Sequence, residues 1–265
     1  MILVTGASGQ LASQIVVLSR QLNLPVLTAS RSPAADRVMD FDDPTTLDFD
    51  GIDVLFLTSA GYAEDDVVMR RHGAVLEAAR KQGVRHVIYT SLSEASDHLV
   101  FALAHRWTER EIKASGMSWT IMRNGLYAEL IGALATPQGG RIITPFGQGR
   151  ISAVARHDLA LAAVRILANP SLHAGRSYEL AGCKAFSLPE LAESIGASYR
   201  PGTFADERLR LAGLSLLPFQ PPMLLSISST AAAGFLEAAR TDLLELVPEP
   251  ADALAVASSI AQASG

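Results

Sequence analysis

Some of the residues able to do chemistry stand at the very start of the chain. An aliphatic run, Ile2 to Thr5, stops at Gly6, and the following residues read Gly6-Ala7-Ser8-Gly9-Gln10-Leu11-Ala12. Gly6 permits a tight turn, Gly9 removes a side chain where a pyrophosphate must approach backbone, and Ala12 lets a helix lie close to a sheet. Leu11, Ile15, Val16 and Leu18 follow at helical spacing, so the unpaired N–H groups of that helix's first turn would face the anion. Gly-x-x-Gly-x-x-Ala is looser than Gly-x-Gly-x-x-Gly, and such a turn also serves purely structural ends. Its strand–turn–helix setting favours a dinucleotide site, with Gly6, Ala7, Ser8, Gly9, Gln10 and Leu11 as candidate binding residues.

The ends of later strand-like runs supply the other candidates. Residues 25–30 read as a second strand closed by Ser30-Arg31-Ser32, where a protein that binds NAD places an acid against the ribose hydroxyls. No acid stands there. Arg31 offers charge-assisted bonds to a 2′-phosphate and predicts NADPH over NADH, the alternative being a solvated surface arginine. A very short third strand, 38–41, ends in Asp40 and Phe41, which either accept from and pack beside an adenine or form a plain loop. Thr58, Ser59 and Ala60 end the run 52–58 and are expected along the pyrophosphate and ribose; Thr90 and Ser91 end the run 84–91. Asn124 and Gly125 follow the run 118–122. Ser91 is a candidate for the nicotinamide ribose or an acceptor oxygen, Asn124 for the carboxamide, and Tyr127 and Phe146 for stacking on an aromatic acceptor.

These positions need elements that place them along one edge. Between the strand-like runs lie helical patterns at 65–82, with acids first and bases last, and at 99–115. Strand and helix alternate, which predicts an α/β, Rossmann-like, doubly wound parallel sheet with right-handed crossovers, the second and third of them short loops or single turns. Beyond residue 130 the pattern loosens into a glycine-rich stretch, then helices at 157–168, 207–214 and 223–240, a strand at 176–180, and a capping-box spelling, Ser187-Leu188-Pro189-Glu190, ahead of a helix to Ile195. The expectation is a single domain over 1–265, with residues 130–150 and 185–250 forming a smaller α/β lobe on the substrate side.

Composition narrows the class. The chain has 265 residues, 49% apolar and 18% charged, which argues against disorder. A net charge of −5 without a basic tract removes the usual electrostatic term for nucleic acid. No apolar run reaches the ~18–20 residues of a membrane span, and the start lacks the basic region of a signal peptide. A lone cysteine, Cys183, forbids an intrachain disulfide and suits the cytoplasm. The 6 histidines show no paired metal-ligand spacing and no Gly-x-Ser-x-Gly elbow is present, so neither a metal site nor hydrolase chemistry is expected.

With these residues in hand, the chain resembles the NmrA-like branch of atypical short-chain dehydrogenase/reductases, and within it the bacterial NADPH:quinone oxidoreductases and triphenylmethane-dye reductases. The resemblance rests on TGASGQL (5–11), Arg31, His72, YTSL (89–92), AHRWTER (104–110), RNGLYAE (123–129), ISAVARHDLALAA (151–163) and YELAG (178–182). The glycine turn is widely shared; RNGLYAE with YELAG is far more specific. The resemblance implies NADPH bound without flavin or metal, a small-molecule aromatic or quinone acceptor, and Asn124, Gly125, Tyr127 and Glu129 beside the nucleotide; a homodimer is compatible with it. Some relatives only sense the nucleotide. Ala12 departs from the usual third glycine, the loops at 32–37 and 42–51 are short, and segments 60–66 and 141–150 do not distinguish a quinone from another acceptor.

The Tyr-x-x-x-Lys pair of classical short-chain dehydrogenases does not occur in the chain. In the resemblance His105 takes the tyrosine position and Glu109 the lysine position, four residues apart on one helix face. They form either an exposed pair or a polar wall beside the nicotinamide ribose, with His105 a proton source. Hydride transfer to a quinone does not require that acid, because water can protonate the resulting anion; catalysis then rests on proximity and orientation, with His105, Ser91, Asn124 and Tyr127 as candidate catalytic residues. Two other readings stand beside a reductase: a redox sensor that binds NADP(H) without turnover, and an isomerase or dehydratase on the same scaffold.

Overall fold

The computed structural model describes residues 1–60 and 63–263. In chain order the first elements are β1 (Ile2–Thr5), α1 (Gln10–Gln21), β2 (Val26–Ser30), β3 (Arg37–Val38), β4 (Val54–Leu57), α2 (Asp65–Lys81), β5 (His86–Leu92), α3 (Ala102–Ala114) and β6 (Ser118–Asn124). They are followed by α4 (Ala128–Leu134), β7 (Arg141–Thr144), β8 (Arg150–Ile151), α5 (Arg156–Ala168), β9 (Arg176–Leu180), β10 (Phe186–Ser187) and α6 (Leu188–Ser194). The remainder is β11 (Ser198–Pro201), α7 (Phe204–Ala212), α8 (Gln220–Ala232), α9 (Leu243–Leu246) and α10 (Ala253–Ala263).

Seven strands form one sheet in the order β3-β2-β1-β4-β5-β6-β9, with β1 parallel to both β2 and β4, β2 to β3, and β4 to β5. This is the Rossmann-like α/β class that the alternation of strand and helix predicts. Chain order reverses between β1 and β4, so the crevice beyond their carboxyl ends is the switch point at which such sheets bind ligands. The second and third crossovers are short, and the third holds only a single 3-10 turn, Pro44–Thr46. Among the described residues no helix is long and apolar enough to cross a membrane.

The chain divides into two compact units. One comprises residues 1–91, 103–123 and 159–178, the other 92–102, 124–158 and 179–265. In the first, Leu3, Leu55, Leu57, Val87 and Tyr89 of the central strands bury against Val75, Leu76 and Ala79 of α2 and Ile112 of α3. Each buried Leu, Val or Ile among them contributes roughly 1.5–3 kcal/mol. The second unit has its own core, in which Ile131, Phe146, Ile151, Leu188, Leu191, Ile227 and Ala257 are all buried. Phe146 is 2% exposed and belongs to that core.

Several element limits differ from the sequence reading, each for a local reason. The helix expected over 223–240 runs instead from Gln220 to Ala232. Gly234 takes a left-handed φ of 78° and closes it, with the Gly234 N–H donating to Ala231 O and the Phe235 N–H to Thr230 O. The third strand stops at Val38 because Thr46 Oγ1 captures both the N–H and the carbonyl of Asp40. The stretch after 130 that reads as loop holds the rest of α4 and the strand β7, which pairs in parallel with β11, a partner remote in sequence.

The capping box read from Ser187-Leu188-Pro189-Glu190 is present in full, with the Ser187 side chain accepting from the Glu190 N–H and the Glu190 carboxylate accepting from the Ser187 N–H. Ser187→Ala therefore lowers the unfolding free energy by ~1 kcal/mol, measured as a lower denaturation midpoint with an unchanged slope.

Candidate functional site

The glycine turn is built on a buried hydroxyl. Thr5 ends β1 fully buried; its Oγ1 donates to Phe56 O at 3.2 Å and accepts from the Thr58 N–H at 3.1 Å. Gly6 then turns with φ 64°, the left-handed region that favours glycine. The Ala7 N–H donates to Ala29 O and the Gly9 N–H to Gly6 O, which close the turn. A Cβ on Gly9 would lie 3.1 Å from Gly6 O, so a side chain there would crowd the turn. Helix α1 starts at Gln10, and the Gly9 cap supplies no side-chain acceptor to its first N–H groups. Gly6, Ser8, Gly9 and Gln10 are exposed, Ala7 is half-buried, and Leu11 is buried beneath the turn.

Charges around the end of β2 are largely spent on one another. Arg20 lies 3.7 Å from Asp36, Arg37 lies 3.1 Å from Asp48, and Arg70 and Arg71 both bond Asp42. Asp36 also accepts from the Thr28 hydroxyl at 2.7 Å and the Thr28 N–H at 2.8 Å, which hold its carboxyl below the usual range. Arg31 is exposed and forms no ion pair among the described residues. Half-buried Asp40 accepts the Asp42 N–H on Oδ1 at 3.0 Å, and Phe41 packs on the core of this unit.

Residues 58–60, just past β4, have each N–H taken by a side chain from a different element. Thr58 donates to Thr5 Oγ1, Ser59 to Thr90 Oγ1 at 2.9 Å, and Ala60 to His72 Nε2 at 3.0 Å. Thr90 is thus turned toward the backbone of its neighbour. The Thr58 Oγ1 is buried without a partner. Residues 61 and 62 of the segment 60–66 lie outside the described residues.

His105 and Glu109 share a helix but meet different groups. The half-buried His105 places Nδ1 2.9 Å from the hydroxyl of the fully buried Tyr89. Burial pushes the Tyr89 phenol well above its ordinary value, so it stays protonated beside Nδ1. Burial, with help from Arg106, pushes the His105 imidazolium down to about 4. Glu109 is only 3% exposed. Burial alone would raise its carboxyl; bonds from Arg123 at 2.7 and 3.0 Å, from Ser91 Oγ at 2.6 Å and from Arg106 at 2.8 Å outweigh that and hold it below the ordinary value. The Ser91 hydroxyl proton is therefore committed to Glu109.

In the second unit Asn124 ends β6 with 3% exposure, and both its amide nitrogen and its amide oxygen are buried without a partner. Gly125 donates to Leu180 O, and a Cβ there would come within 3.1 Å of Ser152 O and 3.2 Å of the Ala181 Cα. Tyr127 opens α4 with the Arg156 guanidinium 4.9 Å from its ring centre. Glu129 accepts the Arg156 N–H at 3.1 Å, so its carboxylate satisfies the first N–H of α5.

Sequence reasoning placed Thr5, Tyr89, Arg106, Thr108 and Arg123 inside the motifs that carry the resemblance but assigned none of them the contacts seen here. Thr5 carried a usable signal, since it stands at the strand end directly before the turn. The others are reached only across the fold.

A family profile described as NAD(P)H-binding matches residues 6–170. The chain is 31% identical to quinone oxidoreductase 2 of Escherichia coli strain K12 over 277 aligned residues, covering 96% of each chain. The crystal structure of the Escherichia coli NADPH-dependent quinone oxidoreductase complexed with NADPH matches with a TM-score of 0.86 at 29% identity over 100% of both chains. An NAD(P)H azoreductase of Xenophilus azovorans is 31% identical over 75% of this chain and 73% of its own. The Citrobacter triphenylmethane reductase complexed with NADP(H) shares the fold, with a TM-score of 0.88 at 24% identity over 98% of this chain and 99% of that one.

The buried histidines make stability fall on the acid side of neutrality. His86 donates from Nε2 to Thr120 Oγ1, whose own proton goes to His173 O, and burial pushes it down to about 4, as it pushes His72 to about 3. From the ordinary 6.5 downward the unfolded chain takes up protons that the folded chain refuses, so stability is full above that value and is lost as pH falls toward about 4. Thermal unfolding midpoints are expected to drop from pH 7.5 to pH 5, and His86→Gln, which keeps the donor, should make that drop shallower.

Proposed function

Because this chain belongs to the NAD(P)H-binding family, we propose that it is an NAD(P)H-dependent oxidoreductase that passes hydride from NADPH to a quinone or a similarly flat conjugated acceptor. The observation that carries the nucleotide reading is the pairing of an uncapped helix start behind the Gly6–Gly9 turn with an unspent Arg31 at the end of β2. The residues fit the group. A carbon at Gly9 would crowd the turn, and Thr58 Oγ1 is an orphaned buried hydroxyl. A buried polar atom left unsatisfied costs about 1–3 kcal/mol, which a polar ligand recovers. For the acceptor, the support is the likeness to a quinone oxidoreductase along nearly the whole length of both chains, with an NAD(P)H azoreductase as a second relative.

When bound, reduced nicotinamide supplies the hydride. The chain's residues bind and orient. N–H groups from Ala7 to Leu11 meet the pyrophosphate and Arg31 meets the 2′-phosphate. His105 is neutral at pH 7 and is no cationic proton reservoir, because burial pushes its imidazolium down to about 4. A quinone that has accepted hydride is an anion that water can protonate, so the protein's contribution is proximity and a fixed polar surround, with no flavin or metal required.

Mixing the purified protein with NADPH and a benzoquinone should deplete reduced-nicotinamide absorbance in proportion to enzyme. Tight NADPH binding with no turnover across quinones, azo dyes and triphenylmethane dyes would replace the reductase by a nucleotide sensor. Arg31→Ala is expected to raise the KM for NADPH ~10–100-fold while leaving NADH nearly unchanged, since a bond to a charged group is worth about 1.5–3 kcal/mol; equal weakening of both would overturn the phosphate assignment. His105→Ala should keep quinone turnover within about tenfold of the parent, because loss of a general acid would cost ~100-fold or more.

A further inference from the structure

Every N–H at the exit of β4 is held by a side chain, but one of the three holders stands apart. Thr5 and Thr90 belong to β1 and β5, the strands on either side of β4, whereas His72 comes from α2. It is fully buried on that helix. Thr108 of α3 lies 2.8 Å from its Nδ1, and the Thr108 hydroxyl donates to Ala104 O at 2.8 Å. That hydroxyl has one proton and has spent it, so Nδ1 must carry the hydrogen of the His72–Thr108 bond. Nε2 is then a bare lone pair, the form that an N–H from Ala60 requires. The Tyr89 and His72 rings pack edge to face, with ring centres 5.6 Å apart at 78°. Through this chain of contacts α3 sets the tautomer of a side chain on α2, and that side chain sets the direction of a peptide at the end of β4.

We propose that His72 is a positioning residue, which aims residues 58–60 at the nucleotide by holding the Ala60 N–H on Nε2. The inference rests on the NADPH reading above and adds to it a residue that does not itself touch the nucleotide. The peptide that follows a strand end has no ladder partner to orient it, so without the imidazole acceptor the Ala60 N–H would turn to find another. Thr58 and Ser59, which precede it, would move with it. Groups displaced in this way no longer meet the nucleotide at hydrogen-bonding distance and direction, and the loss falls on binding. Thr108 serves the same end one step further back.

Two substitutions separate the two nitrogens. His72→Asn places an amide donor near the Nδ1 position, keeping Thr108 and losing Ala60. His72→Gln places an amide oxygen near the Nε2 position, keeping Ala60 and losing Thr108. The expected result is an NADPH Kd and KM raised roughly tenfold in His72→Asn with kcat changed less than about twofold, and values close to the parent in His72→Gln. Equal effects of both variants on NADPH, or none from either, would reduce His72 to a packing residue and overturn the proposal. Should either variant fail to fold, amide hydrogen exchange of the parent decides. Ala60 is expected to exchange slowly before any nucleotide is added, and exchange at the rate of a free loop overturns the assignment. That measurement needs no NADPH, so failure of the parent to bind the nucleotide sinks the reductase reading separately from the Ala60 contact.

Discussion

A parallel strand that ends at the edge of its sheet leaves backbone N–H groups with no neighbouring strand to receive them, and a buried N–H without an acceptor is strongly disfavoured. In the first unit this constraint shapes the carboxyl edge. At β1 the chain escapes by turning on a left-handed glycine and bonding Gly9 back to Gly6. At β4 it escapes through side chains, with Thr5, Thr90 and His72 as acceptors. The two solutions are joined, because the Thr5 hydroxyl that receives Thr58 immediately precedes the glycine turn. An edge whose own backbone is satisfied in this way can present its remaining groups to a ligand without collapsing on them.

Charge at this edge is handled by a similar economy. Glu109 sits where burial would neutralise it, and Arg123, Arg106 and Ser91 keep it ionised by direct bonds. Removing one partner would leave a buried charge uncompensated, which makes the group a rigid support for β5, α3 and β6. His105, one turn earlier, receives no such compensation and stays neutral, its Nδ1 occupied by Tyr89. Two ionisable residues at adjacent positions on one helix face therefore end in opposite states. The difference lies in what approaches each from other elements, and it removes from the first unit the strong acid that a proton-donating mechanism would need from His105.

The fold was legible in the sequence because its signals are local and repeated. Aliphatic runs of strand length, helical spacing between them and glycines at the breaks place β1, α1, β2, β4, α2, β5, α3 and β6 within a few residues. The capping box before α6 was legible for the same reason, both partners lying within four residues. The end of α8 was not, since the continued apolar spacing past Gly234 reads as helix while the backbone at that glycine does not allow it. Nor was β7, whose partner β11 lies more than fifty residues on. In the candidate site, Gly6, Gly9 and Arg31 are readable from spacing. Tyr89, Thr108, Arg106 and Arg123 stand inside the motifs that carry the resemblance, but their partners come into view only with the contacts themselves.

By itself, the amino-acid order determined what neighbours along the chain can settle: where strands break, which turn needs glycine, which strand end lacks an acid and carries an arginine, and which helix begins with a capping box. Tertiary structure alone decided which polar groups meet. Ala60 and His72 are 12 residues apart, Ser91 and Glu109 18, Thr58 and Thr5 53. A hydrogen bond requires atoms about 3 Å apart in a defined direction, and across such separations only the packed sheet and its helices set distance and direction. The tautomer of His72, the neutrality of His105 and the charge of Glu109 all follow from those meetings, and composition and periodicity hold no record of them.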